Sequence, residues 1–113
     1  MSKLEEKIAS YTKNAGDLGL GLSDDLVAKV TKGLGPSIYN KDAETVSCSD
    51  SSELDRVRDN FLKKKLGLSN SDDELDSAIK DVCEKMGSSN RNKYRALFYA
   101  LLVDKFSKED IYS

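Results

Sequence analysis

The stretch Tyr94-Arg-Ala-Leu-Phe-Tyr-Ala-Leu-Leu-Val-Asp-Lys-Phe106 decides the fold. Its apolar residues are Tyr94, Ala96, Leu97, Phe98, Tyr99, Ala100, Leu101, Leu102, Val103 and Phe106. At about 100° per residue they cover nearly the whole circumference of a helix. A helix that is apolar on every side must be surrounded, by the chain's own helices or by a partner subunit. The pattern predicts a central core helix over about Asn90 to Phe106, with an interface helix as the alternative. Burying Leu97, Phe98, Leu101 and Leu102 contributes on the order of 6–12 kcal/mol before entropy is subtracted.

The elements before it are one-sided, as helices wrapped around such a core should be. Leu4, Ile8, Tyr11 and Ala15 form a narrow stripe on a first helix that is expected to end near Gly16. Ser23 is a plausible N-cap for a second helix carrying Leu26, Val27, Val30 and Leu34, which Gly33, Gly35 and Pro36 stop. Asp50-Ser-Ser-Glu53 has capping-box spacing and opens a helix with Leu54, Val57, Phe61, Leu62 and Leu66, stopped at Gly67. Ser71-Asp-Asp-Glu74 repeats the box and starts a stripe of Leu75, Ile79, Val82, Cys83 and Met86, ended by Gly87. Ser88 or Ser89 is read as the cap of the last long helix, and Ser107 with Asp110 hints at a final short turn. In the irregular connection from Pro36 to Asp50, Pro36 could open one turn through Ile38 and Tyr39, and Glu44 to Ser49 could be briefly extended. The expected fold is all-α: one domain over residues 1–113, a compact bundle of about five helices around the apolar C-terminal helix.

Composition removes several kinds of chemistry. The 113 residues contain no histidine, so imidazole acid–base catalysis, Ser-His or Cys-His nucleophiles and histidine-ligated metals are excluded. Eighteen basic against twenty acidic residues give a net charge of −2, which argues against whole-molecule attraction to nucleic acid or an anionic membrane. The longest apolar run, Ala96 to Val103, is far short of the roughly 20 residues a membrane span needs. The charged N-terminus, with Lys3, Glu5, Glu6 and Lys7, is not read as a signal peptide. Cys48 and Cys83 lie far apart in sequence, and in a chain with no export signal two free thiols are expected rather than a disulfide, with Cys83 in the core. The expected compartment is the cytoplasm.

Candidate sites are few. Lys32 to Ser37 superficially matches a phosphate loop, but a helix precedes it and Pro36 removes a donor, so it reads as a helix stop. Ser88, Ser89, Asn90, Arg91, Lys93 and Arg95 form a possible anion site at a helix start, although simple capping with solvated or paired cations explains the same residues. Lys63 to Lys65, with Arg56 and Arg58, make a second basic cluster, interleaved with Asp55 and Asp59. Arg58 falls within the apolar arc of its helix, which predicts an ion pair with an acid from another helix. The acidic runs lack the alternating spacing of a calcium loop, and no metal site, cofactor fingerprint or catalytic set is apparent. Gly35, Ser37, Tyr39 and Asn40 form a polar loop suited to partner contact.

Four strings resemble a small bacterial family, domain of unknown function 2853. They are Thr31-Lys-Gly-Leu-Gly-Pro-Ser-Ile-Tyr-Asn40, Ser47-Cys-Ser-Asp50, Asn60-Phe-Leu-Lys-Lys-Lys-Leu-Gly-Leu68 and Met86-Gly-Ser-Ser-Asn-Arg-Asn-Lys-Tyr-Arg95. With the aromatic helix that follows, they cover about two-thirds of the chain. The resemblance implies a small single-domain α-helical protein and carries no catalytic residue or cofactor onto these positions. The functional expectation is therefore a non-enzymatic module that binds a protein partner or itself. The alternative is a nucleic acid or small anion held at Arg91–Arg95 and Lys63–Lys65.

Overall fold

The apolar C-terminal helix is the centre of the molecule. The computed structural model describes residues 3–40, 44–87 and 93–112, with the side chains of Pro36, Ser37 and Tyr112 left aside. Among them are α1 (Lys3–Leu18), α2 (Asp24–Leu34), α3 (Ser51–Arg56), α4 (Asp72–Met86) and α5 (Arg95–Lys105). Seven of the eleven residues of α5 are buried: Ala96, Leu97, Phe98, Ala100, Leu101, Leu102 and Val103. The helix packs against α1, α2 and α4, and a 3-10 turn at Glu109–Tyr112 closes onto α2. The all-α expectation holds.

The caps are those the sequence signals. Ser23 Oγ accepts from Leu26 N at 3.1 Å, and Ser71 Oγ accepts from Glu74 N at 3.3 Å. Asp50 Oδ1 accepts from Ser52 N at 3.0 Å and Glu53 N at 3.4 Å, satisfying donors that a helix start leaves unpaired. The first helix continues past Gly16 to Leu18 and ends where Leu20 N donates to Ala15 O at 3.1 Å. That bond lets Leu20 swing into the core, where it is buried.

Helix α3 does not stop at Arg56 but continues as a π-helix, Val57–Lys65. Its wider winding places Val57, Phe61, Leu62 and then Leu66 on the buried side, at steps of four to five residues. Gly67 at φ +66° ends it, and Leu68 N returns to Leu62 O at 3.1 Å. Arg58 has the predicted partner: its Nη1 lies 3.2 Å from both carboxylate oxygens of Asp76 on α4. Asp59 adds bonds at 3.0 and 3.4 Å, and Asp55 one at 3.3 Å.

Two expectations are corrected. Cys48 and Cys83 are not free thiols; they form a disulfide with Cα atoms 6.1 Å apart. A separation of 35 residues in sequence says little about distance once the chain has folded back, and Cys83 sits at the edge of the α4 stripe, only partly buried. The last long helix starts at Arg95, not near Asn90, with Tyr94 as its N-cap and no side-chain capping bond. Thr45 bridges Tyr94 antiparallel, and Val46 N donates to Lys93 O at 2.8 Å. This pairing holds residues 93–94 outside the helix, so Tyr94 occupies the N-cap position; Ser88 and Ser89, the expected caps, lie outside the described residues. The pairing also supplies the brief extended segment expected after Glu44, while Gly35–Tyr39 forms the expected turn.

Candidate functional site

Three separated parts of the chain meet at a cleft of about 390 Å³ beside the N-terminal end of α5. Asn40 comes from the end of the 3-10 turn, Glu53 and Arg56 from α3, and Val57 and Asn60 from the π-helical stretch. Arg95 and Tyr99, one turn apart on α5, complete the lining. Glu53, Arg56, Val57 and Asn60 fall at i, i+3, i+4 and i+7, a single helical face.

Arg95 organises the wall. Its guanidinium donates to Glu53 Oε1 through a short charge-assisted bond, to the Tyr99 hydroxyl at 3.0 Å and to the Thr45 carbonyl at 3.4 Å. It lies 5.6 Å from the Tyr99 ring centroid, and that ring stacks on Phe61 at 3.9 Å. Burial opposes the charge, but the Tyr99 phenol and Glu53 outweigh it and hold the Arg95 pKa above the ordinary guanidinium value. The side chains of Arg95 and Glu53 are each only 16% exposed, so the pair is a structural part of the cleft.

Arg56 differs. Its Nη2 is 3.9 Å from Glu53 Oε2, at the limit of an ion pair, and its side chain is 65% exposed. Two guanidiniums and one carboxylate leave the lining with one net positive charge, carried at the lip. Exposed Asn60 adds an amide donor and acceptor, and buried Val57 forms the apolar floor. The chemistry on offer is recognition: a guanidinium for a carboxylate or carbonyl, and an amide for a peptide backbone.

The sequence candidates divide sharply. Asn40 from the loop set and Arg95 from the helix-start set meet in the cleft, while Tyr39 is 47% exposed and Gly35 caps α2. Ser37 belongs to the 3-10 turn. Lys93 is buried, with 8% exposure, and so presents little surface to an anion. Ser88, Ser89, Asn90 and Arg91 lie outside the described residues. In the other basic cluster, Lys63 is 2.5 Å from Asp72 and 3.6 Å from Asp59, and the Asp72 bond raises its pKa despite a desolvation penalty. Arg56 comes from the second basic cluster, whereas Glu53, Val57 and Asn60 belong to none of the candidate sets. Their shared helical face was legible, but nothing local shows that Asn40 and Arg95 close over it.

A family model described as "Protein of unknown function (DUF2853)" matches residues 8–110. The chain belongs to that family. The match covers α2 to α5 whole and most of α1, so every described element that lines the DUF2853 chain's cleft falls within it. No curated protein matches the chain. No helix among the described residues is long and apolar enough to cross a membrane.

Proposed function

We propose that the protein is a non-enzymatic recognition domain that binds an acidic segment of a protein partner in the cleft between α3 and α5. The observation that carries this reading is Arg56: an exposed guanidinium held only loosely, at the lip of a cleft whose other guanidinium is already committed to Glu53. A carboxylate reaching Arg56 gains a charge-assisted bond without breaking the buried pair. The Asn60 amide can then pair with the incoming backbone, and exposed Tyr39 beside Asn40 offers an aromatic contact. The competing nucleic-acid reading is weakened because Lys63 is already matched by Asp59 and Asp72. A cytoplasmic setting belongs to the same proposal. In that setting a disulfide is usually transient.

A displayed random-peptide library, selected on the full chain, tests this directly. Selection should enrich peptides with an acidic residue, and Arg56→Ala should weaken them about tenfold, equivalent to about 1.4 kcal/mol. Enriched peptides that bind Arg56→Ala unchanged would remove the cleft. Salt-dependent retardation of DNA or RNA, with no peptide enriched, would replace the protein partner with nucleic acid.

A further inference from the structure

We infer that the Cys48–Cys83 disulfide is a reversible redox site that sets the order of the cleft wall. The regulatory part rests on the cleft reading above; the ordering of the segment does not. Both cysteines are partly exposed, so a small dithiol or a thioredoxin-like protein can reach them. The hydrogen bonds described for residues 47–50 stay within the turn or run into the first turn of α3. Asp50 N donates to Ser47 O at 3.2 Å, the Ser47 and Ser49 hydroxyls are 3.2 Å apart, and Asp50 caps Ser52 and Glu53. The disulfide therefore ties this turn to α4, across the chain.

What the turn carries makes the tie consequential. On its N-terminal side Thr45 supplies the carbonyl that Arg95 grips, and Val46 pairs with Lys93. On its C-terminal side Asp50 caps the helix that presents Glu53, the carboxylate on the same guanidinium. Two of the groups that position Arg95 thus flank the disulfide-anchored turn. The core does not depend on it in the same way, because α4 is held by Leu75, Ala78, Ile79, Val82 and Met86. Opening the bond should loosen the cleft wall while the bundle remains.

The reaction is an ordinary thiol–disulfide exchange. A dithiol thiolate attacks one protein sulfur, the S–S bond breaks, and the other cysteine leaves as a thiolate that takes up a proton. The second reductant thiol then displaces the first protein sulfur, which is protonated in turn. The protein gains two electrons and two protons, and the dithiol becomes a disulfide.

Amide hydrogen exchange on the full chain, oxidised and after dithiothreitol, tests the inference without any ligand. Reduction should speed exchange at Val46, Ser52 and Glu53 about tenfold more than at Leu97 and Leu102 in the core. The double variant Cys48→Ser with Cys83→Ser should match the reduced protein and ignore the reagent. Uniform acceleration at every amide, or unfolding on reduction, would make the bond a global staple and overturn the inference. So would a bond that resists dithiothreitol until denaturant is added. Because no peptide enters the measurement, these failures are distinct from failure of the cleft to bind one.

Discussion

At Glu44 two donors converge on one oxygen: the Tyr11 hydroxyl at 2.5 Å and the Lys7 ammonium at 2.5 Å. Burial pushes the Tyr11 pKa far above its ordinary 10.0, and the bond to Glu44 pushes it further the same way. A folded-state pKa above the unfolded one means that this stability is complete below pH 10.0 and is lost as pH rises beyond it. Thermal melts should therefore show a midpoint that falls with alkalinity above that point, and Tyr11→Phe should flatten the decline. The same variant should lose about 1 kcal/mol at neutral pH, the net value of one hydrogen bond. Asp59 and Asp72 run in the opposite sense. Their pKa values are held below the ordinary 3.8, chiefly by hydrogen bonds from Arg58 and Lys63 respectively. That contribution is present above pH 3.8 and is lost as acid protonates the folded carboxylates below it. Circular dichroism followed through an acid titration should show a shallower transition for Asp59→Asn with Asp72→Asn than for the parent chain. An unchanged profile would mean these pairs contribute nothing.

Helix ends were readable because their causes are local. Ser23, Asp50 and Ser71 each place an oxygen over donors two or three residues ahead, and Gly67 allows a left-handed turn directly after buried Leu66. Two glycines on these elements should respond in opposite directions. Gly67 has φ +66°, so Gly67→Ala should destabilise by about 1 kcal/mol through backbone strain alone, since a Cβ there meets nothing within 4 Å. Gly16 lies within α1, also with open space around it, so Gly16→Ala should stabilise by about 0.5 kcal/mol or more. Urea titration of both variants checks the pair, and the same sign for both would contradict the backbone assignments. The winding after Arg56 was not readable. Val57, Phe61, Leu62 and Leu66 fit steps of three to four and of four to five residues equally well, so the α and π alternatives share one apolar pattern. The start of α5 was hidden for a different reason. It is set by Thr45 and Val46 pairing with Tyr94 and Lys93, a contact across nearly fifty residues that no local capping signal reports.

At the scale of the molecule, the apolar circumference of one helix determined the architecture, because a helix apolar on nearly every side has to be enclosed, and α1, α2 and α4 enclose α5. The cleft arises from the exception on that helix. Arg95 and Tyr99 lie on the α5 face that is only partly buried, and α3 with Asn40 covers them incompletely. In the sequence Arg95 and Asn40 belong to separate candidate groups; only the folded chain makes them neighbours. The same reasoning orders the energetic consequences of truncation. Phe98 and Leu102 are fully enclosed at 0% exposure, so Phe98→Ala should cost about 3–5 kcal/mol and Leu102→Ala about 2–5 kcal/mol. Domains of this size are stable by about 5–15 kcal/mol, so either change removes a substantial fraction of the whole. Ile111, exposed at 39% on the terminal turn, should cost well under about 1 kcal/mol when cut to alanine. Urea midpoints at unchanged slope would read all three. If Phe98→Ala and Ile111→Ala proved equal, α5 would not be the enclosed helix. The cleft at its end would then lose the rigid wall on which recognition by Arg56 and its neighbours depends.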